Sequence, residues 1–230
     1  MPRPAPSGPI RLPAAGVLLE GDLHQPPGPG PRGLVVFVHG SGSSRFSSRN
    51  RSVAAALQGR GLATLLFDLL TAAEEQRDRR DASLRFDIPL LAERLIGVLD
   101  ALAALPELQP WPGSRPVGLF GASTGAAAAL IGAAERPERV GAVVSRGGRP
   151  DLAAAALPLV RCPTLLLVGG HDDEVLELNR RAAARLTAPH RLEVVAGASH
   201  LFEEPGCLAR VAERAGDWFV NHLAPPERAG

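Results

Sequence analysis

Short, wholly apolar runs recur along this chain, each followed by a stretch whose apolar residues return every three or four positions. Leu34-Val35-Val36-Phe37-Val38 is the first such run. A strand buried on both faces reads this way, whereas a half-exposed strand alternates. Ala63–Phe67, Pro116–Phe120, Val140–Val144 and Thr164–Val168 come close to it, each with at most one polar residue, and Leu192–Val195 reads as the last strand. Between and after them, 52–60, 90–105, 126–136, 175–186 and 208–220 carry helical spacing. Asp87 is placed to cap the second of these helices, and Gly61 and Pro137 to stop the first and third. Val17–Leu23 suits an outer strand or hairpin arm.

Strands alternating with helices predict an α/β fold with a mostly parallel sheet and helices on both faces. There is no internal repeat and no sign of a second domain. Residues 1–14 read as a disordered or extended leader, 15–222 as a single domain, and 223–230 as a tail. Residues 25–32, rich in Pro and Gly, read as a turn-rich connection. In such sheets ligands bind beyond the carboxyl ends of the strands, so residues just after each strand are the ones to inspect.

Composition narrows the classes. The chain has 230 residues and a formal charge of +1. That balance argues against a dedicated nucleic-acid binder, which shows a basic excess. All 25 basic residues are arginine, a bias that reads as codon usage. Two cysteines, Cys162 and Cys207, are too few for a disulfide scaffold, and no C-x-x-C spacing suggests zinc. Residues 1–9 lack the apolar core of a signal peptide, and no run is long enough to span a membrane. The expectation is a cytoplasmic protein with neither nucleic-acid nor membrane partner, monomer or homodimer.

The chemistry centres on Gly121-Ala122-Ser123-Thr124-Gly125. It follows a strand run and precedes an Ala-rich helix, the context of a nucleophile elbow. A serine hydroxyl is a weak nucleophile unless a base lies within reach and a third group orients that base. With such an elbow the chain order is Ser, acid, His. Val168-Gly169-Gly170-His171-Asp172-Asp173 follows one strand and Ala196-Gly197-Ala198-Ser199-His200 follows the last. Ser123, Asp172 and His200 therefore reach one sheet edge in the required order, with Asp173 the alternative acid. His171 is adjacent to the acid and poorly placed to be the base. A metal site from His171, Asp172 and Asp173 lacks a further ligand.

An oxyanion needs preorganised N–H donors. Thr124, after the nucleophile and at a helix N-terminus, supplies one. His39-Gly40-Ser41-Gly42 follows an earlier strand, and Ser41 N–H is the second, with Gly42 as fallback. Arg146, in Ser145-Arg146-Gly147-Gly148-Arg149-Pro150-Asp151, also follows a strand at this edge. It either holds a substrate carboxylate or pairs with a local acid such as Asp151. Leu70–Arg85 is too charged to be buried; it reads as a solvated helix or loop, or as a flap over the pocket.

These segments resemble the α/β-hydrolase superfamily over about residues 15–222. The stretches HGSGSS, GASTG, VGGHDDEV and GASHLFEEPG are similar to its dienelactone hydrolase-like branch. The resemblance implies an eight-stranded, mostly parallel sheet without a large cap domain, a triad of Ser123, Asp172 and His200, and no cofactor and no metal. The namesake enzymes use a cysteine nucleophile where this chain has Ser123. Some relatives are fused to a phosphoribosyltransferase domain, for which these residues leave no room. The function expected is serine-dependent cleavage of small or medium carboxylic esters or lactones. The alternatives are an acyltransferase or peptidase on the same triad, and a catalytically silent binding protein.

Overall fold

The computed structural model describes residues 7–26, 31–108 and 115–223. Eight strands form one sheet: β1 (Gly8–Ala14), β2 (Val17–His24), β3 (Leu34–Val38), β4 (Ala63–Phe67), β5 (Val117–Ala122), β6 (Val140–Arg146), β7 (Thr164–Gly169) and β8 (His190–Val195). Their order is β1-β2-β4-β3-β5-β6-β7-β8. β1 and β2 form an antiparallel hairpin and β2 runs antiparallel to β4. The remaining neighbours are parallel. Six α-helices are described: α1 (Ser48–Gln58), α2 (Ala72–Asp81), α3 (Ile88–Ala101), α4 (Thr124–Glu135), α5 (Asp173–Ala183) and α6 (Cys207–Leu223).

Side chains alternate across each strand, and the two faces of the sheet carry separate cores. On one face Val36, Val38, Leu65, Leu119 and Val143 pack with Leu91, Leu95 and Leu99 of α3 and the alanines of α4. On the other, Val35, Phe37, Phe120 and Val144 pack with Val53 and Leu57 of α1 and Val211 and Phe219 of α6. Strands β3, β4 and β5 are buried throughout, with Thr64 their one polar side chain, because both faces are covered.

Three expectations need correction. Gly8–Ala14 is not leader but edge strand β1, with Ile10, Leu12 and Ala14 buried; residues 1–6 lie outside the described residues. Its prolines are tolerated because an edge strand need not use every N–H. Helix α1 starts at Ser48 rather than at 52, because Ser47 accepts a hydrogen bond from Asn50 N–H as its cap. Leu223 closes α6, and residues 224–230 of the expected tail lie outside the described residues. Asp87 does cap α3, accepting from Leu90 N–H.

The segment judged too charged to be buried is helix α2, and it does contain a buried acid. Asp78 is 4% exposed. It accepts from the N–H groups of Leu84 and Arg85 and from Arg85 Nε. Burial opposes its ionisation, but those bonds prevail and hold its carboxyl below the usual carboxylate range. Thr71 and Glu74 close a reciprocal capping box at the other end. Glu74 also receives Arg94 of α3, whose guanidinium donates to the carbonyls of Ala14 and Ala15 as well. α2 is thus tied at both ends.

Candidate active site

β5 runs into α4 through a single residue. Ser123 has φ 50° and ψ −123°, a region that costs an L-residue roughly 1–3 kcal/mol. The surroundings fix it there. Ser123 N–H donates to Arg146 O at 3.2 Å, and its carbonyl accepts from Ala126 and Arg149 N–H, each at 3.1 Å. Both glycines of the pentapeptide are sites of close approach. A Cβ on Gly121 would lie 2.5 Å from Ala126 Cα, and one on Gly125 would lie 2.3 Å from the carbonyls of both Val38 and His39. The turn can be this tight only without those side chains.

Asp172 follows β7 and precedes α5; His200 follows β8. His200 Nδ1 and Asp172 Oδ2 are 2.6 Å apart. The short separation suits a charge-assisted bond in which Nδ1–H donates, leaving Nε2 as the acceptor. The loops are braced together: Gly170 N–H donates to Val195 O and His171 N–H to Ala198 O. Asp173, the alternative acid, begins α5, where a carboxylate favours the helix dipole. His171 is exposed.

Ser123 and His200 both adjoin residues 146–147. Gly147 follows β6, and a Cβ there would be 3.2 Å from His200 O and 3.6 Å from His200 Cε1. The structure therefore joins His200 to Asp172 and brings both His200 and Ser123 against the end of β6, without a hydrogen bond from Ser123 to His200 among the described residues. Such bonds are often long in unliganded hydrolases and tighten on binding.

Residues not singled out from sequence hold the base. Phe202 is 1% exposed and has φ 58°. Its N–H donates to Ser199 O, and Ser199 N–H donates to Glu204 Oε1 at 3.0 Å. A buried aromatic in left-handed backbone two residues past the imidazole anchors this loop. No period in the sequence reports it.

On the other side, Gly40–Ser43 forms a turn closed by Ser43 N–H to Gly40 O. Ser41 N–H donates to Thr124 Oγ1 at 2.8 Å. The two residues expected to supply separate donors are therefore bonded to each other, and Ser41 N–H is not free in this structure. His39 holds the base of the loop. Its Nδ1–H donates to Gly40 O, and Nε2 accepts from Leu69 N–H at 3.1 Å. The bond to Nε2 requires the neutral ring, since a protonated Nε2 cannot accept. Burial lowers its pKa, only partly offset by the Gly40 bond and by Asp68 and Glu75. A cavity of about 170 Å³ opens beside this loop, walled by Ser41, Gly42, Leu69 and by Asp78 and Arg85 from the α2 segment.

Arg146 ends β6 buried, and it does not pair with Asp151. Arg149 holds that acid through two bonds, Nε–Oδ1 at 2.9 Å and Nη2–Oδ2 at 2.8 Å. Cys162 and Cys207 are free and buried; burial pushes the Cys162 thiol up to about 12. Among the described residues no group of three or more His, Cys, Asp or Glu is arranged to hold a metal ion, and no helix is long and apolar enough to cross a membrane.

Comparison with known proteins places this geometry. A family model described as the dienelactone hydrolase family matches residues 19–221. The crystal structure of a dienelactone hydrolase from Anabaena variabilis is 54% identical with a TM-score of 0.90, covering 95% of this chain and 98% of that one. A Mycobacterium tuberculosis protein carrying the provisional name phosphoribosyl transferase is 56% identical over 221 residues, 96% of this chain and 48% of that protein. The chain thus spans about half the length of the curated relatives it matches. The esterase domain of a Rhodothermus marinus protein shares the fold at 20% identity, with a TM-score of 0.72, covering 95% of this chain and 100% of that one.

Proposed function

The chain belongs to the dienelactone hydrolase family and has the α/β-hydrolase fold, and from that premise we propose that it is a serine hydrolase acting on small or medium carboxylic esters or lactones. The observation that carries this reading is the 2.6 Å contact between His200 Nδ1 and Asp172 Oδ2, at the same sheet edge as the strained Ser123. Ser123 Oγ attacks the ester carbonyl while His200 Nε2 accepts its proton. The protonated imidazole then gives that proton to the departing alcohol. Water, activated in turn by His200, releases the acyl group from Ser123. Asp172 fixes the tautomer and stabilises the imidazolium.

The tetrahedral oxygen is received by Thr124 N–H and Ser41 N–H. At rest Ser41 N–H is bonded to Thr124 Oγ1, so the developing anion takes over that bond. Charge-assisted bonds are roughly twice as strong as neutral ones, which favours the exchange in the transition state. The cavity beside Ser41 and Gly42 suits a small acyl group. The transferase name of the Mycobacterium tuberculosis relative stays with that protein, since the match accounts for about half of it.

A panel of short 4-nitrophenyl esters and lactones tests the reading. Wild type should turn over at least one, Ser123→Ala none, and Asp172→Asn should lose several orders of magnitude in kcat. Turnover should also fall on acidification, since only a neutral imidazole accepts the serine proton. Undiminished turnover by Ser123→Ala would overturn the assignment.

A further inference from the structure

Asn179 is the one polar residue on the buried face of α5, whose other members are Val175, Leu176 and Ala182. It has no exposed surface. Asparagine is a weak helix former, because its side chain competes for backbone groups, and here its Oδ1 is buried without a partner. A leucine at this position would carry neither disadvantage, but it could not donate. Asn179 Nδ2 donates to Gly148 O at 2.9 Å, and to Val175 O in its own helix at 2.8 Å. Both neighbours are carbonyl oxygens, so only the NH2 end of the amide can face them.

Gly148 belongs to the segment that braces the nucleophile. Arg149 N–H donates to Ser123 O at 3.1 Å, and Ser123 N–H to Arg146 O at 3.2 Å. A Cβ on Gly148 would lie 2.6 Å from Ala126 Cβ, so its backbone rests directly on the first turn of α4. The same segment meets the base. A Cβ on Gly147 would lie 3.2 Å from His200 O and 3.3 Å from the Phe202 ring. The acid stands at the start of α5, where Asp172 O accepts from Leu176 N–H at 2.8 Å. The amide of Asn179 thus ties the helix that Asp172 opens to the segment on which Ser123 and His200 are both set.

We propose that Asn179 is a positioning residue, which anchors the 146–149 segment and thereby sets Ser123 Oγ relative to the His200–Asp172 pair. This inference rests on the hydrolase reading. Proton transfer from Ser123 needs His200 Nε2 within hydrogen-bond reach, and a displacement of about 1 Å can cost about a hundredfold in rate. Being wholly buried, Asn179 meets no substrate, so its effect falls on kcat and leaves KM in place.

The test compares wild type with Asn179→Leu and Asn179→Asp. It measures turnover of the best 4-nitrophenyl ester, the rate of fluorophosphonate labelling, hydrogen exchange and urea unfolding. Asn179→Leu removes the donor together with the unpaired acceptor, so the urea midpoint should stay near that of wild type. Its kcat and labelling rate should each fall about ten- to a hundredfold, with KM within about threefold of wild type. Exchange should quicken at Gly147 and Arg149. Asn179→Asp keeps the shape but turns an oxygen towards Gly148 O, and should lose at least as much. Unchanged kcat and labelling, a KM raised as much as kcat falls, or a loss that comes only with a large drop in urea midpoint overturns the proposal. Either variant decides where the other does not fold. If wild type neither cleaves an ester nor takes the label, the hydrolase reading fails and exchange decides the anchoring. Quickened exchange at Gly147 and Arg149 in Asn179→Leu then supports it, and unchanged exchange overturns it.

Discussion

At Thr124 a hydroxyl and a backbone amide compete for roles at one point. Thr124 Oγ1 accepts the Ser41 N–H that the oxyanion would need. Thr124→Val removes that acceptor at nearly constant shape. The bond lost should lower folding stability by about 1 kcal/mol. Because nothing must then be broken on the way to the transition state, kcat should hold steady or rise a few-fold on the best ester. A loss of tenfold or more would show that the hydroxyl itself serves the oxyanion. His39 gives a second prediction. Its pKa is lowered from 6.5, chiefly by burial, so below that value the unfolded chain binds the extra proton and the folded chain does not. Stability from this group is present above the unfolded value and is lost as pH falls towards the folded one. His222, also lowered by burial, acts with the same sign. The urea midpoint should therefore fall between about pH 7.5 and pH 5.5, and His39→Gln should lose part of that fall; a flat wild-type midpoint would contradict it. Asp172 and His200 were legible in the sequence because each follows a strand in the order an elbow demands, and the structure joins them. The Ser41–Thr124 bond was not, because whether two nearby donors satisfy each other depends on a side-chain rotamer. The strain at Phe202 was equally hidden, since a buried aromatic looks the same in sequence whatever its φ.

Helix α2 shows what a charge count misses at the scale of elements. Its acids and arginines suggested a solvated segment, yet Asp78 turns inward and closes the 82–87 loop through Leu84 and Arg85. Asp78→Asn keeps the shape but weakens three bonds to a carboxylate. Hydrogen exchange should then speed up in α2 and at Leu84 and Arg85, while β5 and α4 keep their protection. Unchanged exchange in α2 would contradict the role assigned to Asp78. Because this segment walls the cavity beside Ser41, KM for the best ester should rise more than kcat falls. The strands were read closely wherever both faces are covered, as in Ala63–Phe67, whose bounds agree residue for residue. β1 escaped because its prolines hide a period of two in Ile10, Leu12 and Ala14. The start of α1 escaped because Ser48–Arg51 has no apolar period, and its cap, Ser47, sits among other serines.

Across the whole molecule, two cores clamp one sheet, and the candidate site lies beyond the carboxyl ends of its parallel strands. Phe219 of α6 is fully buried against the sheet, and a Cβ on Gly118 would lie 2.6 Å from its ring. Phe219→Ala should cost about 3–5 kcal/mol of stability, while kcat of the protein that remains folded stays within a few-fold of wild type. A large loss of kcat with stability intact would show that the far core shapes the site. The central claim is that Ser123 is a nucleophile activated by His200 and Asp172, and covalent labelling addresses it without knowledge of the substrate. Treatment with a fluorophosphonate followed by peptide mapping should place one adduct on Ser123, formed much more slowly in His200→Ala. No adduct in wild type, an adduct on another residue, or an unchanged rate in His200→Ala would contradict it.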